Sequence, residues 1–172
     1  MGEVVEIAES FMPNIKIEQL KHLLHSAVSA AYAEPKLIKK SNGENRKGNE
    51  QTIAFRVGIH LHELLKCTEY SHLNLDCEYN KHGDDPKRSK EKDIIRPDLI
   101  IHSRGNDCKN ILVVEFAGWW KESEKIKEDH KKLKELTNPN PNGSYRYKLG
   151  VLVVIGENGP TYTYYPRPDS TS

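Results

Sequence analysis

The chain has 172 residues, of which 36% are hydrophobic and 30% are charged, and its formal net charge at pH 7 is +1. This length accommodates one domain with a real core and leaves too little chain for two. The near-neutral charge excludes a global electrostatic attraction to nucleic acid, so any such binding must depend on a local basic patch.

The N-terminus and the cysteines bear on where the protein resides. The first ten residues, MGEVVEIAES, carry acids where a secretory signal would carry lysines, and no apolar run reaches membrane-spanning length. Cys67, Cys77 and Cys108 are scattered and lack the short spacing of a zinc or redox motif. We interpret them as reduced, buried thiols, and we expect a cytoplasmic protein that does not insert into a membrane.

The first part of the chain predicts two helices joined by a linker. From 15 to 34 the apolar residues recur at helical spacing, and Pro35 ends the pattern. Residues 36–49 are basic and aperiodic and contain Gly and Asn, which predicts a mobile linker or loop. A second helix is expected from about Glu50 to Cys67, and its apolar stripe consists of Ile53, Val57, Leu61 and Leu64.

The rest of the chain predicts strands and one more helix. Residues 72–80 alternate as a strand does, and 81–93 predict an exposed charged loop. Strands follow at 97–102 and 110–117, a helix at about 121–136, and strands at 147–156 and 161–166, before a frayed tail at 167–172. Short links indicate antiparallel pairing, whereas the strand–helix–strand step from 110 to 155 indicates a crossover to a parallel neighbour. The predicted fold is a single α/β domain, 1–172, with helices flanking a mixed central β-sheet.

Two carboxylates stand at the ends of neighbouring apolar strands of this sheet. Asp98 opens one strand directly after a proline, and Glu115 follows the apolar run ILVV of the other. If the two strands pair as a hairpin, the acids converge at one end of the sheet. Their repulsion would raise one pKa unless a cation lay between them, and Mg²⁺ or Mn²⁺ prefers such oxygen ligands.

A third acid, Glu50, stands at the start of the second helix, on the same face as the apolar stripe. Its carboxylate could simply stabilise the helix by interacting with the positive, N-terminal end of the helix dipole. Beside the two strand-end carboxylates, it could instead be an outer ligand of the same site.

The segments RPDLIIH, NILVVEFA, EDHKKLKELT and YKLGVLVVI together resemble the PD-(D/E)XK nuclease superfamily, which has the restriction-endonuclease-like fold. NEQTIAFRVGIHLHELL and DCEYN are similar to small bacterial members, and the resemblance covers about residues 49–155. It implies Asp98 and Glu115 as ligands of a catalytic magnesium, the carbonyl of Phe116 beside them, and Glu50 as the helix-borne glutamate. Many related folds act as dimers, so a homodimer is one expected state.

The sequence departs from the superfamily's pattern at one position. The motif lysine, which orients the attacking water and steadies the phosphate charge, would stand two residues after Glu115, where this chain has Ala117. Three explanations remain open. The lysine has migrated to Lys121, or the site is inactive and serves binding, or Ala117 is a deliberate substitution.

Aromatic and basic residues predict contact with nucleic acid. Trp119 and Trp120 could stack on a base or sugar, or one could plug the strand–helix junction while the other packs on the surface. Lys87 and Arg88 could track a phosphate backbone, although charged loops are usually only solvated. The expected function is Mg²⁺-dependent hydrolysis of DNA. A catalytically inactive module that binds nucleic acid or a protein is the main alternative, and a purely structural protein is a third.

Overall fold

The computed structural model describes residues 17–39, 42–44, 48–82, 85–88, 94–105, 109–139 and 145–168. Its helices are α1 (Ile17–Ala33), α2 (Glu50–Leu65) and α3 (Ser123–Leu136). Its strands are β1 (Asn74–Cys77), β2 (Lys81–His82), β3 (Asp85–Pro86), β4 (Leu99–His102), β5 (Leu112–Gly118), β6 (Leu149–Gly156) and β7 (Gly159–Pro166). The main elements follow the predicted order, and the bounds that differ do so at the ends, where helices and strands fray.

Five strands form one mixed sheet in the order β1-β4-β5-β6-β7. β5 and β6 are parallel and are connected through α3, whereas the other neighbours are antiparallel. The predicted parallel neighbour is therefore confirmed, and β7 lies at one edge of the sheet. The protein is an α/β protein in which three helices pack against a mixed five-stranded sheet.

β5 lies at the centre of the sheet, and all of its residues are buried. Successive side chains of a strand point to opposite faces. Val114 and Phe116 pack in the cluster that includes α1 and α2, whereas Val113 and Ala117 pack with α3. Glu115 shares the second face by this alternation, so the sheet directs its carboxylate to the side that α3 covers.

The N-terminal helix belongs to the main core. Leu24 and Val28 of α1 are fully buried in the same cluster as Val57 of α2. In the segment 36–49, which we predicted to be a mobile linker or loop, Ile38 is buried in this cluster as well. Residues 40, 41 and 45–47 lie outside the described part of the chain, as do residues 169–172 of the predicted tail.

Two further expectations need correction. Part of the predicted loop at 81–93 is a short antiparallel pair, β2 with β3, and Lys87 directly after it is only 1% exposed. The Lys87 ammonium lies 4.7 Å from the ring centroid of Tyr79, so an aromatic face replaces part of its water shell. Cys67 and Cys77, which we expected to be buried, are exposed free thiols.

A membrane-spanning element is absent from the described residues: none of their helices has both the length and the apolar character needed to cross a bilayer.

Candidate active site

Asp98 lies directly before β4, after Pro97. Because Leu99 pairs with Val114, β5 extends beyond the start of β4 at this end of the sheet. In place of a strand partner there, the Oδ2 atom of Asp98 accepts the N–H of Phe116 at 2.7 Å. Burial raises the pKa of Asp98 above its ordinary value, although this hydrogen bond opposes the shift.

Glu115 reaches the same end of the sheet and is 1% exposed. Its Oε2 atom accepts a hydrogen bond from the Lys132 ammonium at 2.8 Å, whereas its buried Oε1 atom has no hydrogen-bond partner among the described residues. Burial, and after it the charge of Asp98, raises the pKa of Glu115 to about 8. The structure thus brings the two acids together, as their strand positions predicted, and one buried oxygen of Glu115 has no partner among the described residues.

Two residues of α3 complete this cluster, and sequence reasoning assigned neither of them. The Lys132 ammonium lies 2.8 Å from Glu115 and 3.9 Å from the Oδ1 atom of Asp129. Asp129 itself is 6% exposed. One signal was available in the sequence, because Asp129 stands three residues after Ile126 and four before Leu133, and so interrupts the inward stripe of α3. A buried acid within an apolar stripe indicates a partner across the interface.

Lys121 lies between β5 and α3 and binds three oxygens. Its Nζ atom is 2.7 Å from Oδ2 of Asp129, 3.3 Å from Oε2 of Glu50 and 3.4 Å from the carbonyl of Phe116. Burial alone would lower the pKa of Lys121, but the two carboxylates outweigh it and raise this pKa. Among the described residues, Lys121 makes no direct contact with Asp98 or Glu115. Its ammonium lies near Asp98, in a separate network with Asp129 and Glu50.

Glu50, the predicted third acid, lies at the first residue of α2 and faces the end of β5. Its Oε1 atom accepts the N–H of Gly118 at 3.0 Å, and its Oε2 atom contacts Lys121. Asn49 caps the helix by accepting the N–H of Gln51 at 2.9 Å, so the helix does not need the Glu50 side chain as its cap. Glu50 therefore attaches α2 to the site without contacting the two strand-end acids directly.

Gly118 ends β5 because Trp120 folds back over it. A Cβ atom at Gly118 would lie 2.3 Å from the Trp120 ring, which is far inside van der Waals contact. Trp119 meets Trp120 edge to face, with ring centroids 4.5 Å apart, and both half-buried rings pack against the main core. The alternative prediction placed one ring at the strand–helix junction and the other on the surface, whereas the structure packs both rings against the core. Trp120 also lines an open pocket of about 440 Å³ together with Glu50, Lys121 and other residues.

The predicted basic pair is divided by the structure. Arg88 is exposed. Lys87 is enclosed, with its ammonium 4.7 Å from the ring centroid of Tyr79 and 5.9 Å from that of Tyr145, and its expected exposure is wrong. The apolar stem and the two aromatic faces hold this lysine inside the protein. The further loop residues at 89–93 lie outside the described part of the chain.

The donor set at this site suits one kind of ion. Within the described ranges, no group of three or more His, Cys, Asp or Glu side chains is arranged to hold a metal. Asp98 and Glu115 offer two carboxylates, and the carbonyl of Phe116 faces the same strand edge as its N–H, which bonds Asp98. Mg²⁺ keeps several waters and is commonly bound through only one or two carboxylates, so these residues fit it. The unpartnered Oε1 atom of Glu115 is the observation that supports this fit.

Comparison with known proteins assigns no family. No protein-family model matches the chain, and no curated protein matches it. A solved structure, the crystal structure of SSO0001, is similar over 87% of this chain and 78% of that chain, with 14% sequence identity and a TM-score of 0.34. This similarity is weak, and the function has to be argued from the site itself.

Proposed function

We propose that this protein is a Mg²⁺-dependent nuclease of the restriction-endonuclease-like type, which hydrolyses phosphodiester bonds of DNA. The observation that carries the proposal is the pair of strand-end acids: Glu115 is buried with one unpartnered oxygen, and Asp98 lies beside it. Lys132 pairs with one oxygen of Glu115, but leaving the other buried oxygen without a partner costs stability. A cation that binds at this end of the sheet would offset that cost.

The charges around the site support a divalent ion. Among the described residues, the carboxylates of Glu50, Asp98, Glu115 and Asp129 face the ammonium groups of Lys121 and Lys132. When all are ionised, two negative charges remain uncompensated. A divalent cation would neutralise these two charges, whereas a monovalent cation would not. Its binding would also displace the proton that burial retains on Glu115.

In the proposed reaction a water oxygen bonds to phosphorus and one ester P–O bond breaks. The proton of the water passes to solvent, and the leaving oxygen takes up a proton from solvent. The positive charge of a Mg²⁺ ion, when bound, would stabilise the charge on the phosphate and lower the pKa of a coordinated water. Asp98 and Glu115 would hold the ion, the Phe116 carbonyl would complete the protein ligands, and a lysine would hydrogen-bond the attacking water. Lys121 and Lys132 are the two lysines at the site.

The proposed substrate is supported by Trp120 and Arg88, and the proposed location by the two free thiols. Trp120 lines the open pocket beside Glu50 and Lys121, where an unstacked base could lie against its ring. Arg88 is exposed for a phosphate contact. The free thiols of Cys67 and Cys77 agree with a reducing compartment, so a cytoplasmic protein that acts on DNA remains our proposal.

Metal titration tests the site directly. We expect Mn²⁺ or Mg²⁺ to give a saturable heat by isothermal titration calorimetry, and we expect Asp98→Asn and Glu115→Gln each to abolish it. Glu63→Gln is the matched control, because Glu63 is an exposed acid that pairs with Lys66 at the far end of α2. If the wild type shows no heat that depends on Asp98 and Glu115, the metal site does not exist.

The rival function is a module of the same descent that binds nucleic acid or a protein and cuts nothing, which Ala117 favours. A plasmid-nicking assay with Mg²⁺ separates the two. We expect the wild type to nick, and Glu115→Gln to retain the plasmid without nicking it. Retention of DNA by a wild type that does not nick would favour the binding module.

A further inference from the structure

The candidate site contains a lysine that the sequence motif does not predict. Lys132 projects from α3, on the face where Glu115 and Ala117 of β5 meet that helix. We infer that Lys132 supplies the catalytic ammonium missing at position 117, and that Lys121 holds the site together without taking part in the chemistry. This inference rests on the proposed nuclease function and assigns a residue role within it.

The contacts of the two lysines separate their roles. An ammonium group has three N–H donors. Lys121 faces three oxygens, those of Asp129, Glu50 and Phe116, so its donors are already used. Among the described residues, Lys132 has a single hydrogen-bond partner, the Oε2 atom of Glu115, and its side chain is 27% exposed. Lys132 therefore keeps donors for a water bound beside Glu115.

The space at Ala117 explains how α3 can deliver this ammonium. Ala117 stands two residues after Glu115 on the same strand face, is fully buried, and packs in one cluster with Leu133. A long side chain at this position would enter the interface between β5 and α3. The small side chain leaves room in that interface, and the Lys132 side chain, which is 27% exposed, reaches Glu115 from α3. A lysine ammonium could thus reach Glu115 either from position 117 of β5 or, as in this chain, from Lys132 of α3.

Replacing each lysine by methionine tests the assignment, since methionine keeps most of the apolar stem and removes the charge. We expect Lys132→Met to lower plasmid nicking by about 100-fold or more, as loss of one charge-stabilising donor does. We expect Lys121→Met to retain nicking within about tenfold of the wild type. Far-UV circular dichroism checks that both variants are folded.

Metal affinity gives a readout that does not depend on cleavage. The Lys132 ammonium repels both a divalent ion and a competing proton at Glu115, and the repulsion is larger for the ion because it carries two charges. Removing this ammonium therefore strengthens the binding of the divalent ion more than that of the proton. Mn²⁺ titrated without DNA should therefore bind Lys132→Met as tightly as the wild type, or more tightly. A weaker affinity would show that Lys132 supports the metal ligands structurally, and it would overturn the inference.

Moving the lysine back to the strand completes the test. Lys132→Ala should lose nicking, and the double variant Ala117→Lys with Lys132→Ala should regain at least tenfold, because the ammonium returns to the same oxygen from the other element. Nicking that survives in Lys132→Met, or that is lost only in Lys121→Met, refutes the inference and leaves the proposed function standing. A wild type that neither nicks nor binds Mn²⁺ removes both.

Discussion

At the scale of single residues, Glu115 is the side chain whose chemistry the fold alters most clearly. Its carboxyl is enclosed by the sheet and α3, beside Asp98 and in contact with Lys132. Burial and the neighbouring acid raise its pKa to about 8, from the ordinary value of 4.5. The metal-free protein therefore binds a proton at this position under conditions in which the unfolded chain does not.

This shift predicts how the stability of the metal-free protein depends on pH. Between pH 4.5 and pH 8 the folded state holds the Glu115 proton and the unfolded state has released it, so stability falls as pH rises. The effect is on the order of 4 kcal/mol across that window. In Glu115→Gln it is absent, so we expect the variant to match the wild type near pH 5 and to melt at a higher temperature at pH 8.

Thermal unfolding in EDTA, monitored for both proteins across this range, measures the difference. The lowered pKa values of His25 and His102 make stability rise with pH in both proteins. Their contribution therefore cancels when the two stability curves are subtracted. Added Mg²⁺ should stabilise the wild type most at pH 8, where its binding displaces the fewest protons. Parallel curves of melting temperature against pH for the two proteins would contradict the raised pKa of Glu115.

At the scale of secondary-structure elements, the junction between β5 and α3 determines where both lysines lie. Gly118 lets the Trp120 ring pack against the backbone, and the Gly118 N–H binds Glu50 of α2. Lys121 follows in the same turn and joins Glu50 to Asp129 of α3. One short turn therefore fixes α2, β5 and α3 with respect to each other.

We expect Gly118→Ala to destabilise the protein by about 1–3 kcal/mol, because its Cβ would overlap the Trp120 ring at 2.3 Å and force that ring to move. The main-chain hydrogen bond to Glu50 does not need the glycine and should remain. Urea unfolding followed by circular dichroism measures the change. The control is the same substitution in a Trp120→Ala background, where the cost should largely vanish; an equal cost in both backgrounds would show that the ring is not its cause.

The sequence predicted these elements well and their side-chain contacts less well. Asp98 and Glu115 could be placed together because strand alternation and hairpin pairing are local rules. Lys132 could not, because several lysines follow one another on α3, and only the rotation of that helix against β5 decides which one reaches Glu115. Lys87 was misjudged for a related reason, since the aromatic rings that enclose it are distant in the sequence.

At the scale of the whole molecule, α1 and the sheet share one hydrophobic cluster. Leu24 of α1 is fully buried together with Phe116 of β5, although the helix lies outside the segment that resembles the nuclease superfamily. A core shared in this way predicts a single cooperative unfolding transition. The N-terminal helix is thus part of the structural support of the site.

Leu24→Ala should lower the free energy of unfolding by about 2–5 kcal/mol, as expected for a buried leucine. Circular dichroism reports on the helices, and the fluorescence of Trp119 and Trp120 reports on the far end of β5, so both signals should shift to the same lower urea midpoint. Ser26→Ala, on the exposed side of α1, is the control and should leave both signals in place. A fluorescence transition that stayed at the wild-type midpoint would mean that α1 unfolds separately.

The parallel pairing of β5 with β6 also orders events during protein synthesis. Asp98 and Glu115 leave the ribosome before α3 and β6, and β5 cannot become a central strand until β6 has been made. If Lys132 supplies the catalytic charge as proposed, a chain interrupted before α3 carries both acids and lacks the group that acts on the water. Such a fragment would lack both the completed sheet and Lys132, so under this proposal an incomplete chain would not cleave DNA.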